Sequence, residues 1–250
     1  MTKHRRGIYL LPNLFTTGAL FAGFYSIVAA INAQFESAAI AIFVAMVLDG
    51  MDGRIARLTN TASEFGMEYD SLSDMVSFGL APALIMYQWA LSDIGKLGWL
   101  ASFVYTASAA LRLARFNTQA DSIDKRFFQG LPSPAAAAVL AGMIWFGTDF
   151  GLNDGSSVIV FCLPITILAG ILMVSNIRYH SFKQVDLKGK VPFMAVFVIV
   201  AAFVLVAVEP PLVLCVITLL YAISGPVLTL FLLRKHRESR KINEEDAGNT

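Results

Sequence analysis

The sequence predicts an all-α integral membrane protein with about eight transmembrane helices, and three observations lead there. Of 250 residues, 56% are hydrophobic and the mean hydropathy is +0.65, which is too apolar for a soluble domain of this length. The apolar residues gather into segments of about 17 to 23 residues, the length that a bilayer core requires. The third observation is a charge asymmetry hidden by the net charge of +1. With eight spans, all of the 19 Lys and Arg except Lys96 fall on one side. The positive-inside rule makes that side cytoplasmic, and a wrong span count would scramble the alternation.

Residues 1–13 form a basic, then apolar, N-terminal segment that the sequence places along the membrane surface, with a break at Pro12. Met1 to Arg6 is basic, but the apolar stretch after it is long enough to stay as a span, so no cleaved leader is expected. Asn13 either caps the first helix or contacts a ligand. The spans fall near 14–33, 37–58, 70–91, 97–116, 133–149, 156–175, 191–208 and 211–233. Pro82 should kink the third or free a carbonyl. Gly18, Gly23, Ala29, Ala30, Ala135 to Ala138, Ala141 and Gly142 mark faces where helices approach closely. The last two spans carry no charge and read as scaffold or dimer surface. The charged tail 234–250 reads as an anionic-lipid contact with a disordered end. Cys162 and Cys215 lie in apolar runs and suit packing better than a disulfide or zinc.

The chemistry concentrates between Asp49 and Asp74. On a helix, Asp49, Asp52, Gly53 and Ala56 share one face, and Gly66, Asp70 and Asp74 share another. Two such helices joined by a short turn can aim four carboxylates at one point. Carboxylates at a membrane edge are costly, and four facing each other need cations between them. Hard divalent ions take oxygen ligands, and a four-aspartate cluster can hold two, enough to clamp both oxygens of a phosphoryl displacement. The alternatives are helix capping, pairing with Arg54 and Arg57, and a cation-transport site. Transport sites usually lie near the bilayer midplane, whereas these residues sit at a cytoplasmic end beside two arginines.

A second polar cluster follows the fourth span. Arg112 and Arg115 are three apart on one helical face, and arginine forks match carboxylate or phosphate. They can equally snorkel to headgroups.

The pattern Asp49-x2-Asp52-Gly53-x2-Ala56-Arg57-x8-Gly66-x3-Asp70-x3-Asp74 is identified as the signature of the CDP-alcohol phosphotransferases, with every position filled. The resemblance implies membrane enzymes with a dinuclear metal site that move a phosphatidyl or similar group from a CDP-linked donor to an alcohol and release CMP. It implies Asp49, Asp52, Asp70 and Asp74 as ligands of two divalent ions (magnesium or manganese, with calcium as a possible occupant). It also implies Asp52, Gly53, Ala56, Arg57 and Gly66 as donor-binding residues, Asn13 near them, and Asp74 as general base. No signature position is Ser, Cys or His, which favours direct transfer over a covalent intermediate.

Outside the signature, Arg-Leu-Ala-Arg-Phe-Asn (112–117), Phe-x-Gly-Leu-Pro-Ser-Pro-Ala (128–135) and Ser-x-Ile-Arg-Tyr (175–179) resemble the membrane-embedded phosphatidylserine synthase branch. That resemblance implies CDP-diacylglycerol and L-serine as substrates. It points to Arg112, Arg115, Asn117, Gly130, Ser133, Arg178 and Lys183 as the residues around serine or the lipid phosphates. Acceptors such as glycerol phosphate, inositol or choline would share the metal site and differ here. Residues 14–190 form the expected catalytic core, and 191–233 two added helices. The family resemblance further implies a homodimer among membrane lipids, with no nucleic-acid partner expected. The charge asymmetry puts both termini on the cytoplasmic side, and the absence of added targeting sequence fits a prokaryotic inner membrane.

Overall fold

The computed structural model describes residues 10–59, 61, 63–119, 127–152, 155–180 and 193–248. The described chain is helical at each of the eight apolar segments. The order is α1 (Leu10–Ile31), α2 (Phe35–Thr59), α3 (Glu64–Asp74), α4 (Ala81–Met86), α5 (Lys96–Gln119), α6 (Ser133–Asp149), α7 (Ile159–Val174), α8 (Phe193–Val208) and α9 (Pro210–Gly248). Among the described residues, four helical stretches are long and apolar enough to cross a bilayer by length and composition: Leu11–Ile31, Glu64–Ile94, Lys96–Thr118 and Pro210–Phe231. The chain is an all-α membrane protein. Large apolar side chains such as Phe21, Val47, Phe161 and Phe203 face outward, as they do where the surroundings are lipid rather than water.

Three expectations change. Helix α1, described from Leu10, runs through Pro12 and Asn13, so Pro12 does not break it and Asn13 does not cap it. Proline is tolerated in a first helical turn because the N–H it lacks has no partner there. Helix α9 continues to Gly248, through the stretch expected to be a disordered tail. Arg, Lys and Glu are good helix formers, and a helix already nucleated by an apolar span propagates cheaply. The third departure is a small antiparallel ribbon of β1 (Phe127–Gln129) and β2 (Arg178–His180), with Phe128 opposite Tyr179. The segments after α5 and α7 emerge at the same end of the bundle, and their backbones satisfy one another.

Helix α1 packs along α2, α2 also meets α6, α6 meets α9, and α5 pairs with α7. The seams are made of small residues. Ala38, Ala39, Ala136, Ala137 and Ala141 are wholly buried, and Gly142 brings α6 against the Cys215 backbone of α9. Between lipid-exposed helices such close backbone approach is the main source of association. At Gly23 of α1 an added Cβ would lie 2.7 Å from the Ser77 Cα, so only glycine admits this crossing.

The stretch from Glu64 to Ile94 bends through two π-helical segments, Met75–Leu80 and Tyr87–Leu91. Pro82 lacks the N–H that would bond the Phe78 carbonyl one turn earlier. The buried Tyr105 hydroxyl donates to that carbonyl instead, at 3.0 Å. The same device recurs in α9. Pro226 frees the carbonyl of Ala222, and the buried Tyr179 hydroxyl of β2 donates to it at 2.9 Å. Each tyrosine satisfies a backbone carbonyl that lipid cannot satisfy.

This assignment has a direct test. Tyr105→Phe is expected to cost about 1–3 kcal/mol, the penalty for an orphaned buried carbonyl. In a Pro82→Ala background, where the backbone N–H returns, the same change should cost far less. Thermal melts of the four proteins in detergent check the pair.

Candidate active site

The end of α2 and the start of α3 are locked by local bonds. Thr61 donates its backbone N–H to Ala56 O at 3.0 Å, which closes α2. Ser63, in extended conformation, caps α3 by accepting the Gly66 N–H at 3.0 Å. Both acidic helices pack against α1, and the aspartates spaced along each come together as a three-dimensional cluster.

One carboxylate oxygen from each of Asp49, Asp70 and Asp74 lies within 4.8 Å of the others, and all three residues are half-buried. Oxygens around one hard divalent ion sit roughly 2.0–2.6 Å from it and so no more than about 5 Å apart. The donor set and its spacing therefore fit such an ion. Asp49 and Asp74 come within side-chain hydrogen-bonding contact. Two carboxylates do this only with a proton or a cation between them.

Asp52 does not join that group. It follows Asp49 by three residues, a rotation of about 300° around a helix, so it points roughly 60° aside. Its Oδ2 accepts a hydrogen bond from Thr16 Oγ1 at 2.7 Å, and both residues are buried. The expected four-carboxylate arrangement thus resolves into three gathered aspartates and one turned towards α1.

Beside them lies a cavity whose lining includes all six residues expected for donor binding: Asn13 of α1, Asp52, Gly53, Ala56 and Arg57 of α2, and Gly66 of α3. Asp70 lines it too, so it belongs to both the cavity and the carboxylate group. A side chain at Gly53 would meet nothing within 4 Å, which shows the open room that a glycine leaves here. Arg57 donates Nε–H to Gly53 O at 2.9 Å, folding its guanidinium back along the cavity.

The second cluster divides. Arg112 donates to the wholly buried Ser133 Oγ at 2.8 Å and lies within electrostatic reach of Asp74. Its Nε is buried and has no hydrogen-bond partner among the described residues, so an acceptor is called for there. Arg115 instead donates to the Val174 carbonyl at 3.1 Å and to Asn176 Oδ1 at 3.5 Å, holding the end of α7. Asn176 Oδ1 also accepts from Gln129 Nε2 at 2.7 Å.

Asn117 bonds Ser71 of α3 at the surface, donating at 3.0 Å. Gly130 has φ +77° and donates its N–H to Ile177 O at 2.8 Å; an added Cβ would collide with the Met173 carbonyl. It is needed by the backbone. Arg178 lies exposed on β2, and Lys183 is outside the described residues. Of the seven residues expected around serine, Arg112 and Ser133 stand together near Asp74, while Arg115, Asn117 and Gly130 hold the surroundings in place.

The family model described as CDP-alcohol phosphatidyltransferase matches residues 9–174. The chain belongs to that family. Within it, the chain is 41% identical over 229 residues to a Helicobacter pylori protein, covering 91% of this chain and 94% of the relative. It is 36% identical over 233 residues to a Mycobacterium leprae protein, covering 90% of this chain and 76% of the relative. A Bacillus subtilis protein is 32% identical over 179 residues, 70% of this chain and 92% of the relative. All three relatives bear the name CDP-diacylglycerol–serine O-phosphatidyltransferase.

The family signature contains every acidic residue of the site but not the residues that orient it. Ser63 and Ser73 lie in stretches that resemble the phosphatidylserine synthase branch, but no orienting role for them or for Thr16 is legible, because single hydroxyls in or beside apolar helices carry no distinctive spacing. One signal was present: Thr16 follows Asn13 by three residues and so shares its helical face.

Proposed function

We propose that this member of the CDP-alcohol phosphatidyltransferase family transfers the phosphatidyl group of CDP-diacylglycerol to the hydroxyl of L-serine, giving phosphatidylserine and CMP. The observation that carries the reading is the gathering of Asp49, Asp70 and Asp74 beside a cavity lined by the rest of the signature, with Arg112 within electrostatic reach of Asp74. The relatives' shared name supports serine as acceptor.

In this mechanism Asp49, Asp70 and Asp74 would hold divalent cation, magnesium or manganese, with Asp52 next to them in the cavity wall. When bound there, the ions supply charge neutralisation on the donor diphosphate. Gly53, Ala56 and Gly66 leave room for the nucleotide to approach the backbone, and Asn13 and Arg57 line its path. Asp74 accepts the proton of the serine hydroxyl. The serine oxygen bonds to the lipid-side phosphorus as the bond to the CMP oxygen breaks, and CMP leaves with that electron pair. Arg112, braced by Ser133, holds an anionic group through its buried Nε edge, either the serine carboxylate or the lipid phosphate. The acyl chains need only a path open to the bilayer.

Eight crossings, a cytoplasmic site and cytoplasmic termini in a prokaryotic inner membrane, and a homodimer complete the proposal. The charge asymmetry of the loops supports the orientation.

The deciding experiment gives the purified chain CDP-diacylglycerol, magnesium or manganese, and separately serine, glycerol phosphate, inositol and choline. CMP release with serine alone is the expected result, and release with another alcohol but not serine sinks the assignment. Within this scheme Arg112→Lys is expected to raise KM for serine roughly ten- to a hundredfold while donor KM changes little, because an ammonium cannot reproduce the guanidinium fork. A rise confined to donor KM would place the lipid phosphate, not serine, at Arg112.

A further inference from the structure

Thr16 touches both acidic helices at once. Its hydroxyl reaches Asp52 Oδ2 of α2 at 2.7 Å, and its backbone carbonyl accepts the hydroxyl of Ser73, on α3 between Asp70 and Asp74, at 3.1 Å. The hydroxyl also lies 3.2 Å from the Pro12 carbonyl. A hydroxyl has one hydrogen to give, and the shorter, charged acceptor takes it. One turn further on, Ser77 donates to the Ala19 carbonyl of α1 at 3.0 Å, and Gly23 lets the helices close at that point. The register of α1 against the helix bearing Asp70 and Asp74 is therefore pinned by backbone contacts. In this ladder the Thr16 side chain also extends to the other acidic helix, through its bond to Asp52.

We propose that Thr16 is a positioning residue of the active site, whose hydroxyl fixes the Asp52 carboxylate at the boundary between the Asp49–Asp70–Asp74 group and the donor cavity. Without that bond, Asp52 is free to swing towards the other three or to take up other rotamers, and the cavity loses a wall of defined charge. The inference rests on the proposed reading of the cavity as the site of a cytidine diphosphate group. It adds a residue outside the signature to the parts that make the site.

The test uses the full chain in detergent, with CDP and magnesium as the probe and titration calorimetry as a readout independent of turnover. Thr16→Val keeps the shape and removes the hydrogen. It is expected to weaken CDP binding about tenfold and to raise donor KM more than it lowers kcat. Thr16→Ser keeps the hydrogen and should bind within about twofold of the wild-type chain. In an Asp52→Asn background the Thr16→Val change should have little further effect on CDP binding, because the bond it removes no longer ends on a charge.

A folded Thr16→Val chain that binds CDP as tightly as wild type overturns the inference, and so does a Thr16→Ser chain as weak as Thr16→Val. Should Thr16→Val fail to fold, Thr16→Ala, which also removes the hydrogen, is read by the same two criteria. Failure of the wild-type chain to bind CDP overturns the reading of the cavity itself, and the inference with it. That outcome appears before any variant is made, so the two failures are distinguishable.

Discussion

Asp74→Asn is expected to lower kcat by about 10²- to 10⁴-fold, the contribution of a positioned general base. The substitution keeps the shape of the side chain on α3 and removes its proton acceptor. Asp74 also belongs to the carboxylate group, so its loss weakens ion binding as well. Turnover is therefore measured as CMP release with donor and metal both saturating, where the ion-binding defect no longer limits the rate. CDP binding with magnesium present, measured alongside, should fall much less than kcat. Full turnover by Asp74→Asn under these conditions would falsify its role as base and move the proton to another acceptor.

Removing divalent cation should have an effect at least as large. Carboxylate oxygens no more than 4.8 Å apart repel by roughly 3.5 kcal/mol per ionised pair at an effective dielectric of about 20. Three mutual pairs call for compensating positive charge, to which Arg112 contributes beside Asp74, and half-burial limits screening by salt. Chelation is thus expected to abolish CMP release, with magnesium or manganese restoring it. Added metal should also raise the melting temperature of the substrate-free chain, because a ligand bound only by the folded state stabilises it. Undiminished turnover after exhaustive chelation, together with a melt unmoved by manganese, sinks the metal reading.

The legible part of the site was the part written in helical periodicity. The three- and four-residue spacings placed Asp49, Asp70 and Asp74 where two adjacent helices could bring them together, and the small signature residues marked the cavity. Asp52 was harder to read. A spacing of three puts a residue near a face without saying whether a hydroxyl on a third helix will draw it aside, and Thr16 does so.

The arginines show the same limit. Arg112 and Arg115 share a helical face, yet one reaches Ser133 and the other caps α7, because their neighbours come from segments distant in sequence. Pro82 announced a freed carbonyl, but its partner Tyr105 lies on another helix and carries no local signal. The ribbon of β1 and β2 was illegible for a similar reason: three-residue strands depend on which loops meet, and hydropathy does not encode that.

Asp70 stands in both the carboxylate group and the cavity wall. A cation on one side of it and a diphosphate on the other would therefore share a single side chain, and thermodynamic linkage makes their mutual help symmetric. If nucleotide tightens metal retention by some factor, metal must tighten nucleotide retention by the same factor. Release of CMP then loosens the grip on the cation, and the two dissociation constants, each measured with and without the other ligand, should close a cycle.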